Sequence, residues 1–169
     1  MRSLGLLIAA AVMTAVGGCA EPVVGLSPTL PEKTADAVDR VLASVPGQIP
    51  PQATILVATP ADLTGTDIRR SSNFGRLVSE EIAQRLVQLG YRVPEIRLAG
   101  TMLLRDTGEF ALSRRTQDVR RHQDAQFIVT GTYTPMGDQT YVNLKLVRLV
   151  DGLPIGAADF QTRRLIRFY

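Results

Sequence analysis

Few residues in this chain of 169 carry reactive groups, and their spacing limits what those groups can do. The single thiol, Cys19, stands directly behind an apolar run, and the single imidazole, His122, follows Arg120 and Arg121. One cysteine excludes an internal disulfide, and one cysteine with one histidine cannot supply the ligands of a zinc site. A serine hydrolase needs a nucleophile elbow such as G-x-S-x-G together with a His and an acid, and the sequence has no such elbow. The stretch "LTGTDIRRSSNFGR" is poor in glycine and lacks the Gly-Lys-Ser/Thr of a phosphate loop. Paired carboxylates must converge on one bond to do acid–base work. Glu80 and Glu81 are neighbours on an expected helix and point apart, while Asp106 and Glu109 fall in an irregular stretch. Gly75, Gly108 and Gly131 read as relief of backbone or packing constraints, not as a phosphate cradle. His122, near the end of a short helix, reads as a cation that complements the helix dipole. No catalytic residue, metal site or cofactor is expected, so the chain reads as non-enzymatic.

Cys19 is the exception, because its surroundings give the thiol something to do. Arg2 supplies a positive start, and "LGLLIAAAVMTAV" (4–16) has the length of a signal-peptide apolar region. It is too short for a membrane-spanning helix, which takes about twenty residues. Val16-Gly17-Gly18-Cys19 then resembles the bacterial lipobox: an aliphatic residue, two small residues and a cysteine. Small side chains at 17 and 18 let the backbone enter a narrow processing site, and the thiol is the nearby nucleophile able to take a diacylglyceryl group. Residues 1–18 are therefore expected to be a lipoprotein signal peptide, 19–31 an acylated cysteine with a flexible tether, and 32–169 a single α/β domain. One acyl chain holds a protein only marginally, whereas two or three make membrane residence effectively permanent. Ala20, where an Asp would signal retention, points to the outer membrane. The expected location is the bacterial outer membrane, lipid-anchored and facing the periplasm.

The charge pattern agrees with such a place. Of the 19 basic residues 17 are Arg, and the formal net charge is +3. The arginines interleave with acids, as in "RDTGEFALSRRTQDVRR", and there is no Trp to stack on bases. A basic stripe or an aromatic platform would be needed for nucleic acid, so none is expected as a partner.

The elements that hold these residues follow from periodicity. "EPVVGLSPTLP" (21–31) reads as an extended tether. Pro31 suits the first turn of a helix, with Ala35, Val38, Leu42 and Val45 at helical spacing, and "PGQIPP" stops it. "ATILVAT" (53–59) predicts a strand buried on both faces. Ser71 or Ser72 caps a helix to about Leu89 with Phe74, Leu77, Val78, Ile82, Leu86 and Leu89 on one side, and Gly90 ends it. "YRVPEIRL" (91–98) alternates like an edge strand, since Pro94 removes a ladder donor. "AGTMLLRDTGEFAL" reads as a loop or short hairpin, and Ser113 can cap a third helix to about His122. "QFIVTGTYT" (126–134), "TYVNLKLVRLV" (140–150) and "LPIGAADFQ" predict three antiparallel strands, the last two joined by a two-residue Asp151-Gly152 turn. The expected fold is α/β: a mixed five-stranded sheet of order 2-1-3-4-5, the first three strands parallel, the rest an antiparallel meander, with three helices.

Three stretches carry a family resemblance when taken in order: "SSNFGRLVSEEIAQRLVQLGYRVPEIRL", "GEFALSRR" and "AQFIVTGTYTPMGDQTYVNLKLVRLVDG". With the lipobox ahead of them, they resemble the FlgO family of flagellar outer-membrane lipoproteins, over about residues 52–162. The matching positions are Gly75, Gly90, Gly108, Glu109, Phe110, Leu112, Ser113, Arg114, Gly131, Thr132, Tyr133, Val142 and Asn143. Arg115 departs from the pattern, which has an acid after the Ser-Arg pair. The resemblance implies a fold like the N-terminal domain of TolB and like CsgG. It also implies a non-enzymatic accessory or structural role in the flagellum, needed for motility, with flagellar basal-body components or other flagellar lipoproteins as partners. The alternative keeps the fold and changes the partner: outer-membrane lipoproteins with related domains regulate other periplasmic machines, such as a peptidoglycan synthase or a secretion complex.

Overall fold

The computed structural model describes residues 27–64, 72–95, 102–104, 110–112 and 124–163. The first helix, α1 (Leu30–Ala43), begins where the sequence can satisfy its unbonded N–H groups. The Thr29 hydroxyl accepts from Glu32 N–H, and the Glu32 carboxylate takes the Thr29 N–H at 2.7 Å, while Pro31 occupies the first turn. Those bonds hold the Glu32 carboxyl below its usual range. The buried side of α1 is Thr34, Ala37, Val38 and Val41, with Val45 just beyond the helix. Ala35 and Leu42, expected in the stripe, are only half-buried. Thr34 takes a core position because its hydroxyl donates to Leu30 O at 2.8 Å and leaves its methyl group to pack.

β1 (Ile55–Val57) and β2 (Ala61–Asp62) follow, then α2 (Asn73–Gln88). Of the two candidate caps Ser71 and Ser72, it is Ser72 that caps α2, and Gly90, at φ +86°, releases the chain after it as expected. The inward face of α2 is Gly75, Val78, Ile82 and Leu86; Leu77 and Leu89, expected inside, are exposed. β3 (Met102–Leu104) and β4 (Phe110–Leu112) pair antiparallel as a separate two-stranded ladder, the hairpin alternative for that stretch. β5 (Phe127–Met136), β6 (Gln139–Arg148) and β7 (Leu153–Arg163) complete the chain.

The main sheet is mixed and five-stranded. Its path is β1-β5-β6-β7, with β2 also parallel to β5 beyond the end of β1. The expected neighbours of the first, third, fourth and fifth predicted strands are thus found, but the order 2-1-3-4-5 needs correction. Of the segment expected as the second strand, the described residues 91–95 reach the sheet through Arg92, which forms one parallel bridge to Thr54: Ile55 N–H bonds Arg92 O at 2.9 Å, and Arg92 N–H bonds Ala53 O at 3.0 Å. Pro94 has no N–H with which to continue. The fifth strand of the sheet is instead β2, which the periodicity missed. Two helices, not three, occur among the described residues; the stretch expected to form the third, 113–122, lies outside them.

The β5–β6 turn is the two-residue Gly137-Asp138, with Gly137 at φ +61°. The β6–β7 connection is four residues, 149–152, and not the expected two, because Leu149 N–H goes to Gln126 O at 2.9 Å and extends the chain past the ladder. Pro154 sits on the edge strand β7 as expected, next to a bulge where Leu146 pairs Gly156 but Val147 pairs Pro154.

Both helices cover one face of this sheet. Val38, Val41, Val78, Ile82 and Leu86 pack with Val129, Leu144 and Leu146 in the main core. A smaller cluster, Leu56, Ala58, Ile128, Val147 and Leu149, lies on the opposite face, so β1 is buried on both sides as its composition demands. No helix among the described residues is long and apolar enough to cross a membrane.

One ion pair ties the helices together. Arg85 of α2 grips Asp39 of α1 through two bonds, Nε–Oδ1 at 2.9 Å and Nη2–Oδ2 at 2.6 Å. Both side chains stay partly open to water, which screens such pairs, so Arg85→Met is expected to lower stability only slightly. Urea unfolding at low and high salt checks this: the difference from the parent should shrink as salt rises.

Candidate functional site

Where β5 passes β2, one polar cluster is built into the helix-covered side of the sheet. β2 exists because the chain gains one residue against β5: Val57 pairs Val129, yet Ala61 pairs Thr132, and buried Pro60 fills the slack. That slip sets Asp62 beside Tyr133. Tyr133 Oη lies 3.2 Å from Asp62 Oδ2 and 2.5 Å from Ser72 Oγ. Ser72 Oγ in turn accepts the Gly75 N–H at 3.0 Å as the cap of α2.

Counting protons orders this chain. A carboxylate only accepts, so Tyr133 donates its one proton to Asp62 and receives that of Ser72, whose oxygen still accepts from Gly75. Asp62 also takes Thr64 N–H at 2.9 Å and Thr64 Oγ1 at 2.7 Å, which turns the chain after β2. The ring of Phe74 meets that of Tyr133 edge-on, with centroids 4.9 Å apart.

The relay makes Tyr133 a weaker acid than usual. Burial is the main cause, and the Asp62 charge and its bond to the phenol act in the same direction, against the Ser72 bond. A raised pKa in the fold means that the unfolded chain loses this proton first. The contribution is fully present below the ordinary tyrosine value of 10.0 and is lost as pH rises through the higher folded value. Denaturant unfolding at pH 8 and above pH 10 is expected to show an alkaline loss of stability that Tyr133→Phe diminishes.

The sequence-selected positions divide accordingly. Gly75 and Tyr133 belong to this cluster. A Cβ on Gly75 would stand 2.7 Å from Pro60 O, so glycine lets α2 start flush against the β1–β2 connection. Gly131 and Asn143 meet one strand over, where a Cβ on Gly131 would stand 2.4 Å from Asn143 O. Asn143 itself pairs Thr132 with its side chain exposed. Gly90 only ends α2, far along the helix from the cluster. Phe110 is in β4; Cys19, Gly108, Glu109, Ser113, Arg114 and His122 lie outside the described residues. Asp62 and the second role of Ser72 were not indicated by the sequence, since both depend on the β2–β5 register. The cluster's hydroxyls and carboxylate are engaged with one another and with backbone N–H groups. As chemistry, it is a tie that fixes the start of α2 to the end of β2.

This frame has relatives. Residues 35–164 match the family model described as FlgO protein. The chain belongs to the FlgO family. The FlgO match runs from inside α1 to just past β7, so it takes in α2, all seven strands and the Tyr133 cluster. Among solved structures, the LpoB C-terminal domain from Salmonella enterica aligns with a TM-score of 0.54 at 11% identity, covering 80% of this chain and 98% of that one. The LpoB C-terminal domain from Escherichia coli aligns with a TM-score of 0.51 at 10% identity, over 78% and 98%. At such identities the likeness is one of fold: this FlgO chain shares the architecture of the LpoB domain. No curated protein matches the chain by sequence.

Proposed function

We propose that this chain is a non-enzymatic lipoprotein of the bacterial cell envelope, held at the outer membrane through acylated Cys19, where it serves as an accessory or structural part of the flagellum. The observation that carries this reading is the FlgO match across 35–164. The lipobox-like Val16-Gly17-Gly18-Cys19 supports the anchor. The mutual engagement of Ser72, Tyr133 and Asp62 supports a binding or scaffolding role over catalysis, since a nucleophile must be left available to substrate. Its partners are then basal-body components or other flagellar lipoproteins. Deleting the gene in a flagellated host is expected to impair swimming and disturb the basal body at the outer membrane. Complementation with Cys19→Ala is expected to fail, with the protein lost from membranes. Normal motility with intact basal bodies in the deletion strain would reject the flagellar role.

A second reading keeps the anchor and makes a peptidoglycan synthase or a secretion complex the partner. The fold shared with the LpoB C-terminal domain favours it. Co-purification with synthases and a stimulated glycan-polymerisation rate would support it, and neither binding nor stimulation would remove it.

A further inference from the structure

Among the described residues, no strand pairs with the outer edge of β7. On β5, Val129 O accepts from Ala58 N–H at 2.9 Å and Tyr133 O from Leu63 N–H at 3.0 Å, so odd-numbered residues there face β1 and β2. Backbone direction alternates along an antiparallel ladder. Carried through the pairings of Tyr133 with Val142 and Val142 with Phe160, that alternation makes the even-numbered residues of β7 from Gly156 bond β6. Asp159, Gln161 and Arg163 therefore turn their N–H and C=O groups outward. Such a row is a template for another strand. Two of its carbonyls are covered from α1: Lys33 Nζ donates to Gln161 O at 2.9 Å, and Arg40 Nη2 to Asp159 O at 2.7 Å.

We infer that this edge is a pairing surface for a second copy of the chain, kept closed by Lys33 and Arg40. Charge complementarity identifies the occupant. Two β7 strands meeting antiparallel about Gln161 place that residue opposite its own copy. Asp159 of each chain then faces Arg163 of the other. All three side chains are exposed and share one face, and opposite charges directly across a pair stabilise it. A slide of two residues either way loses both ion pairs. In the centred register each outward residue exchanges both its backbone bonds with its opposite. The two-fold axis of such a pair is perpendicular to the sheet, so both α1 helices stay on the same face, and among the described residues Lys33 and Arg40 are the side chains that must swing away from the edge carbonyls. Arg40 has somewhere to go, because its Nε already bonds Asp36 Oδ2 at 2.9 Å within α1.

A disulfide placed on the axis tests this in the full chain. Opposed residues in such a pair have Cα atoms about 5.5 Å apart, within disulfide range. Gln161→Cys is therefore expected to cross-link to its copy, read on a non-reducing gel against the parent that carries Cys19 alone. In a Lys33→Ala/Arg40→Ala background the association constant should rise by roughly tenfold, equivalent to about 1.4 kcal/mol, and the cross-linked fraction should rise with it. Adding Asp159→Arg should lower it again, and adding Arg163→Asp to that should restore it. The inference is overturned if the unguarded variant folds by circular dichroism yet forms no dimer. Equal dimer with the guard intact, or a cross-link indifferent to the charge reversals, overturns it as well.

Discussion

Tyr133→Ala is expected to lower the free energy of unfolding by about 3–5 kcal/mol, the range for truncating a large aromatic in a core. The side chain is 3% exposed, its ring meets Phe74, and its hydroxyl joins Asp62 to Ser72. Removing it opens a cavity between β5 and the start of α2 and strips Asp62 of a donor. Tyr133→Phe separates the two parts. It keeps the ring and deletes the hydroxyl, and should cost only about 1–2 kcal/mol, because half-buried Asp62 and Ser72 can recruit water. Urea midpoints at unchanged slope measure both. If the two variants fell equally, the hydroxyl and not the ring would be the source of stability.

Gly131→Ala is expected to cost about 2–3 kcal/mol although alanine is the better strand residue, because the new methyl group meets backbone. Its Cβ would lie 2.4 Å from Asn143 O and 3.0 Å from Leu144 Cδ2. A side-chain end can turn aside; a carbonyl in the β5–β6 ladder cannot without breaking the ladder. Leu144→Ala combined with Gly131→Ala should thus give no rescue, since it clears only the second contact. Denaturant unfolding of the two single variants and the double variant decides this, and a double variant more stable than Leu144→Ala alone would refute it.

What could be read in advance was local. The Ser72 cap, the i, i+4 series Val78, Ile82, Leu86 and the Gly90 stop all lie within one helix, so spacing alone exposes them. The alternation of Val142, Leu144 and Leu146 shows the inner face of β6 for the same reason. The features that could not be read depend on partners distant along the chain. β2 is two residues after a proline, too short for any period, and exists only because β5 runs alongside. Asp62 gains its meaning from Tyr133, and Asp39 from Arg85 on another helix. The inward face of α1 is set by what lies beneath it: Gly156 of β7 has no side chain, and a Cβ there would stand 2.9 Å from Val41 O. The helix settles onto that hollow, and the face turned down is the one carrying Val41, not the one carrying Leu42.

The central place of β5 bears on the route by which the chain assembles. Its antiparallel side joins β6 and β7 through connections of two and four residues, whereas its parallel side must capture β1 and β2 from before α2. Closing a long loop costs entropy before any contact repays it, so the three-stranded meander should nucleate and the amino-terminal half should dock on it afterwards. Pulse-labelled hydrogen exchange during refolding is expected to protect the amides of Val142 and Leu144 ahead of those of Ala58 and Leu63, which bond β5. A chain threaded from its amino terminus would then have to await its last third before its first strand found a home.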